Sequence, residues 1–411
     1  MVAGIRRLRH ATYGRTDQQS RALWEVAFPS TPVPAMFHLS HRPMSAPMLS
    51  RLVALASLLG AATTLCAQPD PTPASGDSVG RRRIRVLPAL ASAPETGLQF
   101  GATVLAVWEP AARLRARPAS LTATALRTTK SQTRLRIDGE RWSTGNARRF
   151  AGTLQWQEFP LPYFGIGDRT PESAEELYVP RGTEAILTVQ QRFVGAWYAT
   201  AGLRYLDQRI TPDSVGVLRT NTVTGSRGGA MSQFIVGVLN DTRDNLFAPH
   251  TGRLVQLSYA RSDEAIWSDF TFGTLRLDAR TYSTVRREHV FATQLQVIGV
   301  DGAAPFDQLA LVGNSDIMRG YVRGRYRDRW AAALQGEYRT PVRRRLGAVV
   351  FAGAGMAAPS LDAFGSSRLL PTYGAGLRME IDPRQRIGVR ADYGRGGDGA
   401  SGIYLGFNQA F

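Results

Sequence analysis

Residues able to do covalent chemistry are few. The 411-residue chain holds one cysteine, Cys66, and five histidines. The cysteine and three of the histidines precede residue 68, so a chain processed there keeps only His250 and His289. A Cys/His zinc set is then impossible, as is a cysteine nucleophile. A Ser-His-Asp site would have to use His250 or His289, and neither has a Ser or Asp at suggestive spacing. Nothing in this inventory calls for a cofactor or a metal. No zinc finger, helix-turn-helix or phosphate-binding loop pattern occurs. The chain is rich instead in arginine. It has 50 Lys+Arg against 33 Asp+Glu, a formal charge of +17, and Lys130 is its single lysine. Such a balance serves recognition of anions, either nucleic acid or a membrane surface.

The densest cluster is "NSDIMRGYVRGRYRDRW", residues 314–330, with Arg319, Arg323, Arg325, Arg327 and Arg329 among two glycines. Two readings follow from the residues alone. The stretch is a solvated basic loop, or one arginine reaches a buried acidic partner inside a closed barrel. Arg323, Arg325, Arg327 and Arg329 alternate as on one face of a strand, to meet lipopolysaccharide phosphates or to line a lumen. The elements that would position them decide between these readings.

Residues 48–68, "MLSRLVALASLLGAATTLCAQ", have a charged start, an apolar run from Leu52 to Leu59 and a small-residue end. This pattern predicts a signal peptide over about 44–67, cleaved near Ala67–Gln68. Met44 or Met48 is then the expected initiator, and residues 1–43 are expected to lie outside the translated protein. Losing seven Arg, one Asp and one Glu lowers the charge to +12. The Pro/Ser/Gly-rich stretch from residue 68 predicts a linker over 68–82, leaving 83–411 for one structure.

That remainder alternates. In "TLRLDART" Leu275, Leu277, Ala279 and Thr281 oppose Thr274, Arg276, Asp278 and Arg280. "GIYLGFNQAF" sets Ile403, Leu405, Phe407 and Phe411 against Tyr404, Gly406, Asn408 and Ala410, and "RIGVRADYG" behaves alike. Period two marks strands. Runs lie near 96–108, 117–129, 131–141, 148–158, 182–194, 196–208, 229–240, 251–262, 268–282, 286–299, 328–340, 345–356, 369–382, 385–397 and 402–411. "RIRVLPA", residues 83–89, is the expected further strand, with Pro88 confining it to an edge or a strand end. An exported, strand-only chain with one apolar and one polar face predicts an all-β transmembrane antiparallel barrel, since closed barrels leave no unpaired backbone in lipid. Sixteen strands are expected, with fourteen the alternative. Nucleic-acid binding is the weakest use of the cations in such a chain.

"LVGNSDIMRGYVRGRYRD" resembles the long external loop of the BamA/TamA-type outer-membrane assembly family, the bacterial surface antigen family. Its Val-Arg-Gly-Phe/Tyr signature reads here Met318-Arg319-Gly320-Tyr321 after Gly313-Asn314. "DTRDNLFAPHTG", with Asp241, Thr242, Arg243, Asp244, Asn245, Pro249 and Gly252, resembles the family's periplasmic turn. On the residues alone its charges read as a hairpin-stabilising cluster rather than a catalytic one. "GEYRTP" resembles the strand after the loop, and the ending Tyr404-Leu405-Gly406-Phe407 with Phe411 is similar to the family's aromatic β-signal. The resemblance implies a loop folded into the lumen, its arginine held by wall carboxylates. Glu337 is the first implied partner. The family's second acid, in a Phe-x-Asp-x-Gly pattern, is replaced by Gly353 in "FAGAG", so Asp392 or Glu380 is the candidate to compensate.

It also implies an integral outer-membrane protein of the assembly/translocation class, acting without covalent chemistry through a weak seam between first and last strands. Outer-membrane lipid and lipopolysaccharide are the expected surroundings, and the barrel-assembly machinery is the expected agent of its own insertion. A client polypeptide or a separate periplasmic partner follows from the class, because residues 68–82 leave no room for the family's periplasmic POTRA domains. The alternatives are a passive pore or a lipid or solute transport barrel and, further off, an embedded hydrolase using His250 or His289.

Overall fold

The computed structural model describes residues 82–93, 96–108, 110, 116–212, 216–383 and 386–411. The expected leader, signal peptide and linker, with Cys66, lie outside these residues save for Arg82.

The alternating runs become strands: β1 (Arg82–Ala93), β2 (Gly97–Trp108), β3 (Ala119–Thr128), β4 (Thr133–Trp142), β5 (Arg148–Glu158), β6 (Leu161–Tyr163), β7 (Glu176–Val194), β8 (Trp197–Pro212), β9 (Gly228–Asp241), β10 (Gly252–Ser262), β11 (Phe272–Arg286), β12 (His289–Gly302), β13 (Ala310–Val312), β14 (Tyr326–Asp328), β15 (Trp330–Arg339), β16 (Leu346–Ala358), β17 (Leu370–Asp382), β18 (Ile387–Gly396) and β19 (Ser401–Phe407). One antiparallel sheet holds seventeen of them. The three-residue β6 only adds to β7, which leaves sixteen long strands, as the pattern indicates. Each pairs with the next around a ring, and β1 also meets β19.

The two faces separate as period two requires. On β15 Leu334 and Tyr338 face outward while Gln335, Glu337 and Arg339 are buried inside. On β17 Leu377 is 67% exposed beside buried Arg378. A soluble sandwich would bury its apolar face. Here the apolar face is the outside, an arrangement stable only with lipid as its solvent. The main buried apolar cluster lies in the interior, where Ile317, Met318, Tyr321 and Tyr326 of the β12–β15 connection pack on wall residues such as Phe272 and Leu370. That connection carries β13 and β14 as a separate two-stranded sheet.

Three departures from the expected strands have local causes. β7 and β8 run to 19 and 16 residues, forming a taller hairpin than the expected 182–194 and 196–208. β1 passes straight through Pro88, which is registered against Ala102 of β2. A missing N–H is tolerated there because β1 is barely paired on its other side. β19 stops at Phe407 rather than continuing to Phe411. Asn408 adopts φ 59°, a left-handed conformation that asparagine tolerates and that ends a strand. The last residues turn inward, and Ala410 and Phe411 are buried against Tyr282 and Ala292. Phe411 therefore does not share the lipid face with Ile403 and Phe407.

Candidate functional site: an arginine clamp inside the barrel

The hairpin that delivers Arg319 is built by its own sequence. Asn314 Oδ1 accepts the N–H groups of Asp316 and Ile317 at 2.7 and 3.0 Å, and Asn314 N–H donates to the Ile317 carbonyl at 2.9 Å. This side-chain-capped turn is the use of asparagine at that position. Gly320 sits at φ 117°, and a Cβ there would lie 2.6 Å from the Arg395 carbonyl carbon and the Gly396 nitrogen. Glycine is required by conformation and by space together. The loop backbone is then fastened to the wall. Gly320 N–H donates to the Tyr404 hydroxyl at 2.8 Å, the Thr372 hydroxyl donates to the Arg319 carbonyl, and the Tyr321 hydroxyl donates to the Pro371 carbonyl at 2.8 Å.

Arg319 is fully buried. Its Nη2 donates to Glu337 Oε2 and its Nη1 to Asp392 Oδ2, both at 2.7 Å. Its guanidinium carbon stands 3.5 Å from the centroid of the Phe351 ring. The two acids are not left to Arg319 alone. Arg339 Nε donates to Glu337 Oε1 at 2.8 Å, Arg378 Nη1 donates to Asp392 Oδ1, and Arg390 Nη1 donates to Asp392 Oδ2 at 3.2 Å. Four guanidiniums thus surround two buried carboxylates. Burying charge is costly, and such a cluster is better explained as fixing one position of the loop than as a source of stability.

Asp392 on β18 takes the role left open by Gly353. Gly353 cannot carry an acid cheaply, because a Cβ there would lie 2.6 Å from the Leu334 carbonyl. Glu380 does not join the clamp. It lies near the β17–β18 turn, its N–H donating to the Arg345 carbonyl at 2.8 Å.

The other motifs converge on the same network. In the β9–β10 turn Arg243 binds Asp241 through two bonds of 2.9 and 3.0 Å. Asn245 Oδ1 accepts from Phe247 and Ala248 N–H, both at 2.8 Å. Asp244 Oδ1 accepts from His250 and Thr251 N–H, and Asp244 Oδ2 from Arg386 at 2.6 Å. Thr242 Oγ1 accepts from Arg253 N–H at 3.0 Å, and Gly252, at φ 98°, leaves room for the Thr242 carbonyl. Arg339 links this turn to the clamp: its Nη2 donates to the Phe411 carbonyl at 2.7 Å and its Nη1 reaches the Pro249 carbonyl at 3.5 Å. Leu405, Gly406 and Phe407 lie on the closing strand.

The run Arg323 to Arg329 is not one strand face, since β14 covers only 326–328. Arg325 donates to Thr170 at 2.8 and 2.6 Å. Arg327 is buried, donates to the Phe306, Pro162 and Gly324 carbonyls, and lies over the Tyr163 and Phe306 rings. These two therefore tie the hairpin to the β5–β7 connection instead of meeting a membrane. Reading the sequence missed Arg339, Arg378, Arg390, Thr372 and Phe351 as clamp members. Arg339 and Arg390 had a visible signal, each standing two residues from a candidate acid, Glu337 and Asp392, on the same strand face. His289 Nδ1 lies 2.8 Å from the Tyr338 hydroxyl, and among the described residues no group of three His, Cys, Asp or Glu could hold a metal.

Comparison with known proteins accords with this geometry. The Omp85 superfamily domain matches residues 117–411. No curated protein sequence matches. Among solved structures, BamA from Haemophilus ducreyi lacking POTRA domains 1–3 is similar at TM-score 0.57 and 12% identity, over 80% of this chain and 70% of that one. CdiB from Acinetobacter baumannii is similar at TM-score 0.52 and 12% identity, over 80% and 66%. At that identity the structures speak for the fold, and the domain match for descent: the chain belongs to the Omp85 superfamily of bacterial outer-membrane β-barrels.

Proposed function

We propose that this barrel inserts or translocates other polypeptides at the outer membrane, without covalent chemistry, by opening between β1 and β19. The observation that carries the reading is the inequality of pairing at the seam. All twelve residues of β1 pair with β2, whereas a single registered pair, Ser92↔Leu405, joins β1 to β19. Elsewhere in the ring neighbouring long strands share ladders of at least seven registered pairs, the number that joins β19 to β18. An unpaired strand edge is a template for an incoming strand, and in lipid the drive to satisfy it is strong. A cavity of about 300 Å³ lies directly behind the seam, between Ser92, Gln99 and Leu405 on one side and Asn314 and Ser315 of the hairpin on the other. The clamp holds the hairpin beside that opening. The hairpin's occupancy of the lumen argues against a passive pore.

The test is a lock. Ser92→Cys with Leu405→Cys, oxidised to a disulfide across the seam, is compared with the reduced protein by quantitative proteomics of purified outer membranes in the native host. A coordinated fall of several barrels, or of one secreted client, on oxidation supports the reading. An unchanged inventory in both the locked strain and a deletion strain sinks it.

A further inference from the structure

A polar cavity of about 510 Å³ lies in the lumen between the hairpin and the wall strands β4, β5, β7, β8, β11 and β12. Its charges do not balance. Arg136 is neutralised by Asp138 through bonds of 2.6 and 2.7 Å, and Arg204 by Glu184 at 2.7 Å. Arg134, Arg276, Arg323 and Arg327 line the same cavity, and none of them forms an ion pair among the described residues. Arg134 Nε and Arg327 Nε are buried without a hydrogen-bond partner. The one lining carboxylate outside an ion pair is Asp307. Its Oδ2 accepts from the Gln208 and Gln308 amides, and its Oδ1 has no partner. Four guanidiniums without an ion pair, against one such carboxylate, leave an excess of three positive charges around one lumen cavity.

Arg276 and Arg323 are exposed to the lumen and make no ion pair or hydrogen bond among the described residues, so their donors are open to an anion, and like charges gathered at one cavity favour a ligand that brings the counter-charge. Guanidinium forks match the oxygens of phosphate groups two at a time. The volume suits a small molecule rather than a lipid. We propose that this cavity is a binding site for a small phosphate-type oxyanion, held chiefly by Arg276 and Arg323 together with Arg134. The inference is independent of seam opening and of any client.

The test uses the full chain in detergent micelles, titrated calorimetrically with pyrophosphate at fixed ionic strength. The expected result is saturable binding that weakens at least tenfold in Arg276→Gln/Arg323→Gln and is unchanged in Arg343→Gln/Arg344→Gln, on the exposed β15–β16 turn. Because the first pair removes unpartnered cations, that variant is also expected to melt no earlier than the wild type. Should it not fold, Arg323→Gln alone carries the test, with at least a threefold loss expected. Pyrophosphate binding no tighter than chloride, equal binding by the variant, or citrate binding as tightly as pyrophosphate would each overturn the proposal.

Discussion

Replacing Arg319 by alanine tests whether the clamp holds the hairpin in place. Arg319 makes two charge-assisted hydrogen bonds of 2.7 Å to buried acids and stacks on Phe351. Breaking an isolated buried pair costs about 3–5 kcal/mol, mostly because one charge is left uncompensated. Here that penalty is reduced. Without Arg319, Glu337 keeps Arg339, Asp392 keeps Arg378 and Arg390, and the excess of cations over acids falls. The expected loss of docking energy is therefore about 2–3 kcal/mol, a rise of roughly 30- to 150-fold in the undocked population. Hydrogen exchange of residues 314–330 in the detergent-solubilised protein reads this directly. Arg319→Lys should recover less than half of the lost protection, because an ammonium cannot span both carboxylates in plane and stack on the ring. Exchange within about threefold of wild type in Arg319→Ala, or full protection with lysine, would refute the reasoning.

Three further outcomes follow from the same geometry. Gly320→Ala, at φ 117° with backbone 2.6 Å from the new Cβ, should undock the hairpin at least as completely as Arg319→Ala, by a cost of about 2–3 kcal/mol, read by the same exchange. Asp392→Asn should leave three guanidiniums facing one weaker acceptor and lower the melting temperature. Gly353→Asp should fail to rescue it, because its Cβ would strike the Leu334 carbonyl; heat-modifiability on gels reports both. In the β9–β10 turn, partial burial works to raise the Asp244 carboxyl, but the Arg386 guanidinium and the Thr251 and His250 N–H groups outweigh it and hold the group below its ordinary 3.8. A depressed carboxylate stabilises the fold above its unfolded pKa, and that contribution disappears as pH falls through the folded value. Exchange of residues 242–251 should therefore accelerate as pH drops below about 4, and Asp244→Asn should be fast at neutral pH with little further acid dependence.

Much of this architecture was legible in the residues because a strand's side chains alternate regardless of what surrounds it. That period placed fifteen of the sixteen long strands, put Glu337 and Asp392 on the lumen face, and made the outside apolar. The Gly-Asn turn and Gly320 announced a tight hairpin, since those residues answer local backbone demands. Local signals do not say which lumen-facing groups stand at the same height across a tilted barrel. Asp392 is registered with Gly376, while Glu380 lies four residues further along β17, about 13 Å toward the rim that carries the β17–β18 turn; one acid meets Arg319 and the other does not. The same limit hid Arg378, whose clamp partner Asp392 lies 14 residues away on the next strand. It also hid the inward turn after Phe407, because an alternating pattern does not show where a chain leaves its sheet. Alternation and turn residues were enough to specify the barrel and the hairpin. The choice of the clamp's second acid, the convergence of its arginines and the single-pair seam arise only on folding, because each depends on which distant strands the ring brings together.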